Sequence, residues 1–198
     1  GFEMIVPTLV AEAEKLGIIK QQGERILGRL SRLRERKMNK LVGQRINKHI
    51  TPVFSSEMAG IDGQTILDID NLQEANGSVA NSPSATAYFS MYLKPNNSSA
   101  MNYLRQTAHP DGGIPDFAPI DIFEIAWALW NLRLISDTEI NSLDLIKLHL
   151  DFLERHWETD CGIGTASSGT IKDGDDTSLV YEVLSHYKRN PDIQSVLF

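Results

Sequence analysis

The chain has 198 residues, a formal net charge of −7 and a single cysteine. The acidic balance argues against a general nucleic-acid binder, because such proteins need basic surfaces to neutralise phosphates. Cys161 has no second cysteine to pair with, which excludes an internal disulfide and a cysteine-based metal site. No apolar run reaches the length of a membrane span. We therefore expect a protein of a reducing compartment, with a cytoplasmic location and no membrane span.

Apolar residues in the first half of the chain recur at helical spacing. This spacing predicts a helix over residues 3–16 that ends at Gly17, and a helical region over 21–50. Shorter helices are predicted over 64–74, 84–92 and 98–108. One face of the second region carries a basic run, which is interpreted as a solvated helix face with an anion site as the alternative. Its members are Arg32, Arg34, Arg36, Lys37 and Lys40.

The second half continues with longer apolar segments. Residues 121–134 are predicted to form a buried helix, and residues 138–157 a long amphipathic one. No alternating strand pattern of useful length is present, so the predicted fold class is all-α. Short helices joined by Gly, Asn, Ser and Pro favour a helical barrel or an array of helical hairpins over a four-helix bundle.

Three carboxylates lie within four residues at Asp173, Asp175 and Asp176. They follow a loop rich in Gly, Ser and Thr and precede an apolar segment, so we expect them at a loop-to-helix junction. Like charges this close raise at least one pKa when water is excluded, which keeps a carboxylic acid protonated near neutral pH. The alternatives are a solvated helix N-terminus and a calcium loop. The calcium loop is rejected because its twelfth position is Leu184 instead of Glu.

A faint internal repeat connects this cluster with an earlier segment. Gly-rich turns at residues 76–78 and 162–164 each lead through a polar loop to a helix start that contains threonine. Ser84 and Ala85 stand where Asp175 and Asp176 stand in the second copy. A repeat with acids in one copy fits two related helical domains with chemistry in one of them, and a chance match is the alternative.

At this point the sequence resembles the class II diterpene cyclases of the copalyl diphosphate synthase type, especially the fungal bifunctional enzymes. Seven blocks carry the resemblance, in the family's order and with near-family spacing over nearly the whole chain. They are Gly1-Phe2-Glu3 with Pro7, Leu72-Gln73 through Gly77-Ser78, Ser82-Pro83-Ser84-Ala85-Thr86-Ala87, Gly112-Gly113-Ile114-Pro115, Ile120-Asp121-Ile122-Phe123-Glu124, Gly162-Ile163-Gly164 and Asp173-Gly174-Asp175-Asp176-Thr177.

The resemblance implies an α-helical double barrel that is incomplete in this chain. Residues 1–134 would form the later part of the γ domain, and residues 135–198 would begin the main segment of the β domain. A chain without a starting Met is then expected to be a piece of a longer protein, inactive alone. An attached class I cyclase or prenyltransferase domain in the parent protein is a further expectation from the resemblance.

The implied reaction is the protonation of geranylgeranyl diphosphate, followed by ring closure to a copalyl-type diphosphate with the diphosphate retained. Asp175 would be the general acid, with Asp173 and Asp176 holding its proton and carrying the charge left behind. Two alternatives are a cyclase with the same Asp-x-Asp-Asp sequence acting on another prenyl substrate, and a non-catalytic helical domain that is structural or lipid-binding.

The resemblance also implies binding residues. Glu3 would bind Mg²⁺ together with the diphosphate, and Lys40 would contact the diphosphate. Trp127 is a candidate to stabilise a cation through its ring, although plain core packing is the favoured interpretation. The closing deprotonation is assigned to no residue, because the family's His and Asn positions fall near Ser55 and on Asp111. Asp111 could act as a base, but a turn-forming role is favoured there.

Overall fold

The structure is a computed structural model that describes residues 2–20, 24–40, 43, 45–50, 56–135 and 144–196. These residues contain eight α-helices and short 3₁₀ turns, and their β-bridges are isolated instead of forming strands. The predicted all-α class is therefore confirmed. The chain divides into two compact units, Gly1–Asp116 and Phe117–Phe198. Within the described ranges, no helix combines the length and apolarity needed to cross a bilayer.

The described residues of the first unit contain five α-helices. The first of these confirms the helix predicted over residues 3–16 and its end at Gly17. Gly17 lies just beyond the helix with a positive φ of 71°, a conformation that glycine adopts without strain. Five residues of π-helix, Phe89–Leu93, continue the fourth helix. The helices are α1 (Phe2–Lys15), α2 (Glu24–Lys40), α3 (Gly63–Ile66), α4 (Pro83–Tyr88) and α5 (Ser98–Thr107).

Two of the predicted helices in this unit are wrong in extent. The helix predicted over 64–74 is one turn, and the helical region predicted to reach residue 50 ends at Lys40. The reason is tertiary pairing. Ile46 donates its N–H to the carbonyl of Ile66 (2.9 Å) and accepts from Asp68 (2.9 Å), so both segments satisfy their backbone groups with each other.

The core of the first unit lies between these short elements. It includes Ile66, Leu67 and Leu72 from the segment predicted as a helix over 64–74, so these apolar residues are buried although most of the segment is not α-helical. The buried members are Ala59, Ile66, Leu67, Leu72, Val79, Ala85, Phe89, Leu93 and Ala100.

The second unit contains α6 (Asp121–Leu132), α7 (Asp144–His156) and α8 (Gly174–His186). The amphipathic helix predicted over 138–157 corresponds to α7, and its first six positions lie outside the described residues. The apolar faces of the three helices meet in one core. Its members are Ile122, Ala126, Leu129, Ile146, Leu150, Leu153, Ile163, Val180, Val183 and Leu184.

The boundary between the units falls between Asp116 and Phe117, whereas the resemblance placed a domain boundary near Leu134. Helix α6 consequently packs with α8, at whose start the carboxylates lie. The domain names γ and β stay a prediction. For the site, the relevant fact is that α6 and the carboxylate cluster share one core.

Candidate active site

Helix α8 begins at the carboxylate cluster, as predicted. Asp173 is the N-cap residue, with extended backbone (φ −137°), and its Oδ1 accepts the backbone N–H of Asp176 at 2.9 Å. Aspartate is favoured at this position because its carboxylate satisfies an N–H that has no partner within the helix. The loop-to-helix junction thus fixes one carboxylate directly beneath the first turn that carries the other two.

The three carboxylates differ in their environment. Asp176 is buried, with 4% of its surface exposed, Asp173 is half-buried, and Asp175 is exposed in this chain. Burial and a hydrogen bond with Asp175 raise the pKa of Asp173 to about 6. Burial also raises the pKa of Asp176, whereas the hydrogen bond from Asp173 lowers the pKa of Asp175.

These directions agree with the sequence argument that crowding raises at least one pKa. They also separate two properties that the sequence left combined. Asp173 is the carboxyl of the pair that binds a proton first as the pH falls, and Asp175 is the stronger acid of the two, with one hydrogen bond between them. The general-acid role of Asp175 stays a prediction.

Two threonines that the sequence analysis did not assign support this arrangement. Thr165 Oγ1 donates to Asp173 Oδ2 at 3.2 Å. Thr177 Oγ1 accepts the N–H of Ile163 (3.0 Å) and donates to its carbonyl (2.9 Å). Gly162, with φ 78°, lies so close to Thr177 that a Cβ would collide with it. The available signal was the position of Thr177 directly after the acids and the threonine content of the loop.

The first unit contains a junction with the same backbone design. Ser82 is the N-cap of α4 and accepts from the N–H of Ala85 at 3.3 Å. Thr86 Oγ1 accepts the N–H of Val79 at 2.8 Å, as Thr177 does from Ile163. Matching the caps and the threonines places Ser84 and Ala85 at the positions of Asp175 and Asp176. The structure therefore supports the internal repeat over chance.

Trp127 lies on α6 and is 45% exposed in this chain, so the favoured interpretation as core packing is wrong. The core-facing positions of the helix are Ile122, Ala126 and Leu129, and Trp127 falls on the opposite side. Its ring lies 6.0 Å from that of Phe123 and 6.1 Å from that of Trp130. The guanidinium of Arg133 already lies over the Trp130 ring, 4.1 Å from its centroid, and the cation role of Trp127 stays a prediction.

The residues predicted to bind the diphosphate and Mg²⁺ lie in the first unit. Glu3, in the first turn of α1, forms an ion pair with Lys37 of α2, which lowers the pKa of Glu3. Lys40 is exposed at the last position of α2. Across the part of the chain that the structure describes, no cluster of three His, Cys, Asp or Glu residues could hold a metal. Glu3 is thus a single carboxylate already engaged by an ammonium, a donor set that does not form a magnesium site by itself, and we derive no step through the ion.

Ser55 and Asp111 mark the two positions considered for the base of the closing deprotonation. Ser55 lies outside the described residues. Asp111 is exposed, and its Oδ1 accepts the N–H of Gly113 at 2.9 Å, within a turn where Gly112 has φ 89°. This bond supports the turn-forming role that the sequence favoured.

Comparison with known proteins gives consistent relatives, although no protein-family model matches the chain. A type B diterpene cyclase from Mycobacterium tuberculosis is 47% identical over 201 residues, covering 100% of this chain and 40% of the relative. An ent-kaurene synthase from Physcomitrium patens is 32% identical, and an ent-copalyl diphosphate synthase from Zea mays is 30% identical. These two matches cover 93% of this chain and 20% and 22% of the relatives. The chain thus spans about two fifths of the mycobacterial relative and about one fifth of each of the other two.

Solved structures agree with these sequences. Abietadiene synthase from Abies grandis matches with a TM-score of 0.74 and 26% identity, over 98% of this chain and 25% of that one. An ent-copalyl diphosphate synthase from Arabidopsis thaliana, in complex with an aza analogue of geranylgeranyl thiolodiphosphate, matches with a TM-score of 0.74 and 27% identity, over 98% and 28%. The double-barrel fold class is confirmed by these neighbours. By sequence and by fold, this chain is a homologue of the class II diterpene cyclases.

Proposed function

We propose that the protein containing this chain is a class II terpene cyclase that protonates geranylgeranyl diphosphate and closes it to a copalyl-type diphosphate. The observation that carries this proposal is the carboxylate cluster at the start of α8, where Asp173 accepts the N–H of Asp176 at 2.9 Å and the hydroxyl of Thr165 at 3.2 Å. Within the cluster, a hydrogen bond joins Asp173, whose pKa is raised, to Asp175, whose pKa is lowered. An unactivated alkene is a very weak base, so its protonation needs both a proton that is present and a carboxyl that is a strong acid.

The pair divides these two requirements. Asp173 is the carboxyl that binds the proton more tightly, and the hydrogen bond offers this proton to Asp175. Asp175 then gives a proton to the terminal alkene carbon, where a C–H bond forms with the alkene electron pair. The transfer leaves Asp173 and Asp175 both ionised, and the hydroxyl of Thr165 and the N–H of Asp176 stabilise the charge on Asp173. The carbocation closes two rings and loses a proton to a base.

The relatives support this chemistry, since their names describe diterpene cyclases and copalyl diphosphate synthases. The exposure of Asp175 is that of a chain spanning 40% of the mycobacterial relative. We infer that the complete protein covers this carboxyl in an apolar cleft, because water would otherwise compete for the proton and the cation. The exposed rings of Phe123 and Trp127 would form a wall that contacts the cation without trapping it.

The test uses the full-length protein with geranylgeranyl diphosphate and Mg²⁺, followed by dephosphorylation and mass spectrometry. A bicyclic diterpene alcohol is the expected product, and its absence refutes the copalyl assignment. Product from a different prenyl diphosphate alone would favour the alternative substrate, and no product from any prenyl diphosphate would favour a non-catalytic helical domain.

Asp175→Ala should abolish cyclisation while leaving the fold and substrate binding unchanged. The matched control is Ser84→Ala, which removes a side chain at the equivalent exposed position of the acid-free junction. We expect this control to retain wild-type activity. Cyclisation by Asp175→Ala would show that another group is the acid. The diphosphate role of Lys40 and the metal role of Glu3 are tested separately, by a rise in KM upon Lys40→Gln and Glu3→Gln.

A further inference from the structure

Asp121, the first residue of α6, binds the loop that precedes the carboxylate cluster. Both of its carboxylate oxygens accept hydrogen bonds from one loop residue. Ser167 donates its backbone N–H to Oδ1 at 2.8 Å and its hydroxyl to Oδ2 at 2.5 Å. Bonds to a carboxylate are about twice as strong as neutral ones, so this pair fixes the loop firmly at residue 167.

A second attachment lies two residues earlier in the loop. The backbone N–H of Phe123 donates to the carbonyl of Thr165 at 3.2 Å. N–H groups in the first turn of a helix have no partner within the helix. The first turn of α6 therefore uses both a side chain and a backbone donor on the same loop, at positions 165 and 167.

Thr165 is held by its backbone to α6 while its hydroxyl donates to Asp173 at 3.2 Å. A hydrogen bond from the same hydroxyl offsets part of the burial that raises the pKa of Asp176. A continuous set of hydrogen bonds thus runs from Asp121 through the loop to the acid cluster. Moving the loop by an ångström would remove the threonine hydroxyl from both carboxyls.

We propose that Asp121 is a positioning residue for the acid cluster, which acts through Ser167 and Thr165 to hold a hydroxyl donor on Asp173. The consequence for catalysis rests on the proposed function. The hydrogen bonds that connect Asp121 with Asp173 are present in the protein without substrate. Asp121 is assigned no contact with the reacting alkene, so it is not a catalytic residue.

The test compares Asp121→Asn with Thr165→Val and with the double variant in the full-length protein. Asp121→Asn replaces the two bonds between Ser167 and a charged carboxylate with weaker bonds to a neutral amide, so the loop loosens. We expect kcat to fall by about tenfold to a hundredfold with KM unchanged. Because Thr165 is downstream, the double variant should be no slower than Thr165→Val alone. Multiplying effects of the two substitutions would overturn the proposal.

A second readout does not depend on cyclase activity. In protein labelled with ¹³C at aspartate Cγ, the Asp173 carboxyl should titrate at higher pH in Asp121→Asn, because a carboxylate that loses a donor is easier to protonate. Thr165→Val should give the same shift. An unchanged midpoint in Asp121→Asn would refute the positioning role, whereas a wild-type protein that never cyclises would refute only the proposed function.

The matched control is Asp144→Asn, since Asp144 is also the first residue of a helix in the same unit and is exposed. It should change neither kcat nor the Asp173 midpoint. Should Asp121→Asn fail to fold, Ser167→Ala removes only the hydroxyl bond and should raise the Asp173 midpoint by a smaller amount. No shift in Ser167→Ala would then overturn the proposal.

Discussion

Ser82 and Asp173 each cap a helix, and each helix carries a threonine one turn later whose hydroxyl accepts a backbone N–H from the preceding loop. The backbone design is therefore shared by the two junctions. Their side chains are not: Ser84 and Ala85 replace two acids, and the first junction lacks the raised carboxyl pKa of the second. The loop-to-helix geometry is thus common to the two units, whereas the carboxylates are present at one of the two junctions.

The largest effect is expected when the buried Asp176 is replaced by the residue at the equivalent position of the other junction. Asp176→Ala installs the residue found at position 85. We expect cyclisation to fall by about a hundredfold or more, because the supporting carboxyl is lost. The melting temperature should rise or stay constant, since burial disfavours ionised Asp176 in the folded state and its removal ends that cost. A fall in melting temperature parallel to activity would show a structural role instead.

A smaller effect is expected at the glycines. A Cβ on Gly162 would collide with Thr177, and one on Gly77 would lie 2.5 Å from the carbonyl oxygen of Ser99, whereas one on Gly112 has open space. All three have positive φ. Gly112→Ala should therefore lower the free energy of unfolding by about 1–2 kcal/mol from the backbone alone.

Gly162→Ala and Gly77→Ala should each cost about 1–3 kcal/mol more, because the neighbouring atoms must move. Urea denaturation measures the three values. Equal costs at all three glycines would mean that the close approach at the junctions is unimportant and that only φ matters.

The threonines test whether the shared geometry has the same energetic value in both units. Thr86→Val and Thr177→Val each keep the side-chain shape and leave a buried N–H, of Val79 or Ile163, without its acceptor. Each should lower the free energy of unfolding by about 1–3 kcal/mol. Thermal denaturation compares them, and a cost at only one junction would contradict the equivalence of the two.

The smallest effect concerns pH. Because the pKa of Asp173 is raised to about 6 from an ordinary 3.8, the folded state binds a proton that the unfolded state has released in this interval. The free energy of unfolding should therefore fall as pH rises from about 4 to about 6, by on the order of 1 kcal/mol after allowance for solvent screening.

The lowered pKa of Asp175 acts at lower pH, because its contribution to stability is complete above its ordinary pKa of 3.8 and is lost as pH falls below that value. Asp173→Ser, the residue of the other junction, should flatten the profile. Melting temperatures across pH 4–7 measure the slope, and a wild-type profile as flat as that of the variant would place the proton elsewhere.

Most of the helices and the acid site followed from local sequence. Gly17 ends α1, Pro83 begins α4, and Asp173 caps α8, because these residue types have conformational or hydrogen-bonding preferences that act within one turn. The helix predicted over 64–74 failed because Ile46, distant in the chain, supplied alternative backbone partners.

The sequence by itself determined the all-α class, the junction at Asp173 and the resemblance to class II diterpene cyclases, since each depends on residue type and spacing. Only the tertiary structure decided which carboxyl keeps the proton, that Trp127 is exposed instead of buried, and that Asp121 binds the loop carrying Thr165. These properties depend on burial and on hydrogen bonds between segments as many as 46 positions apart. Local periodicity carries no information about such distances, because they arise only when the helices pack.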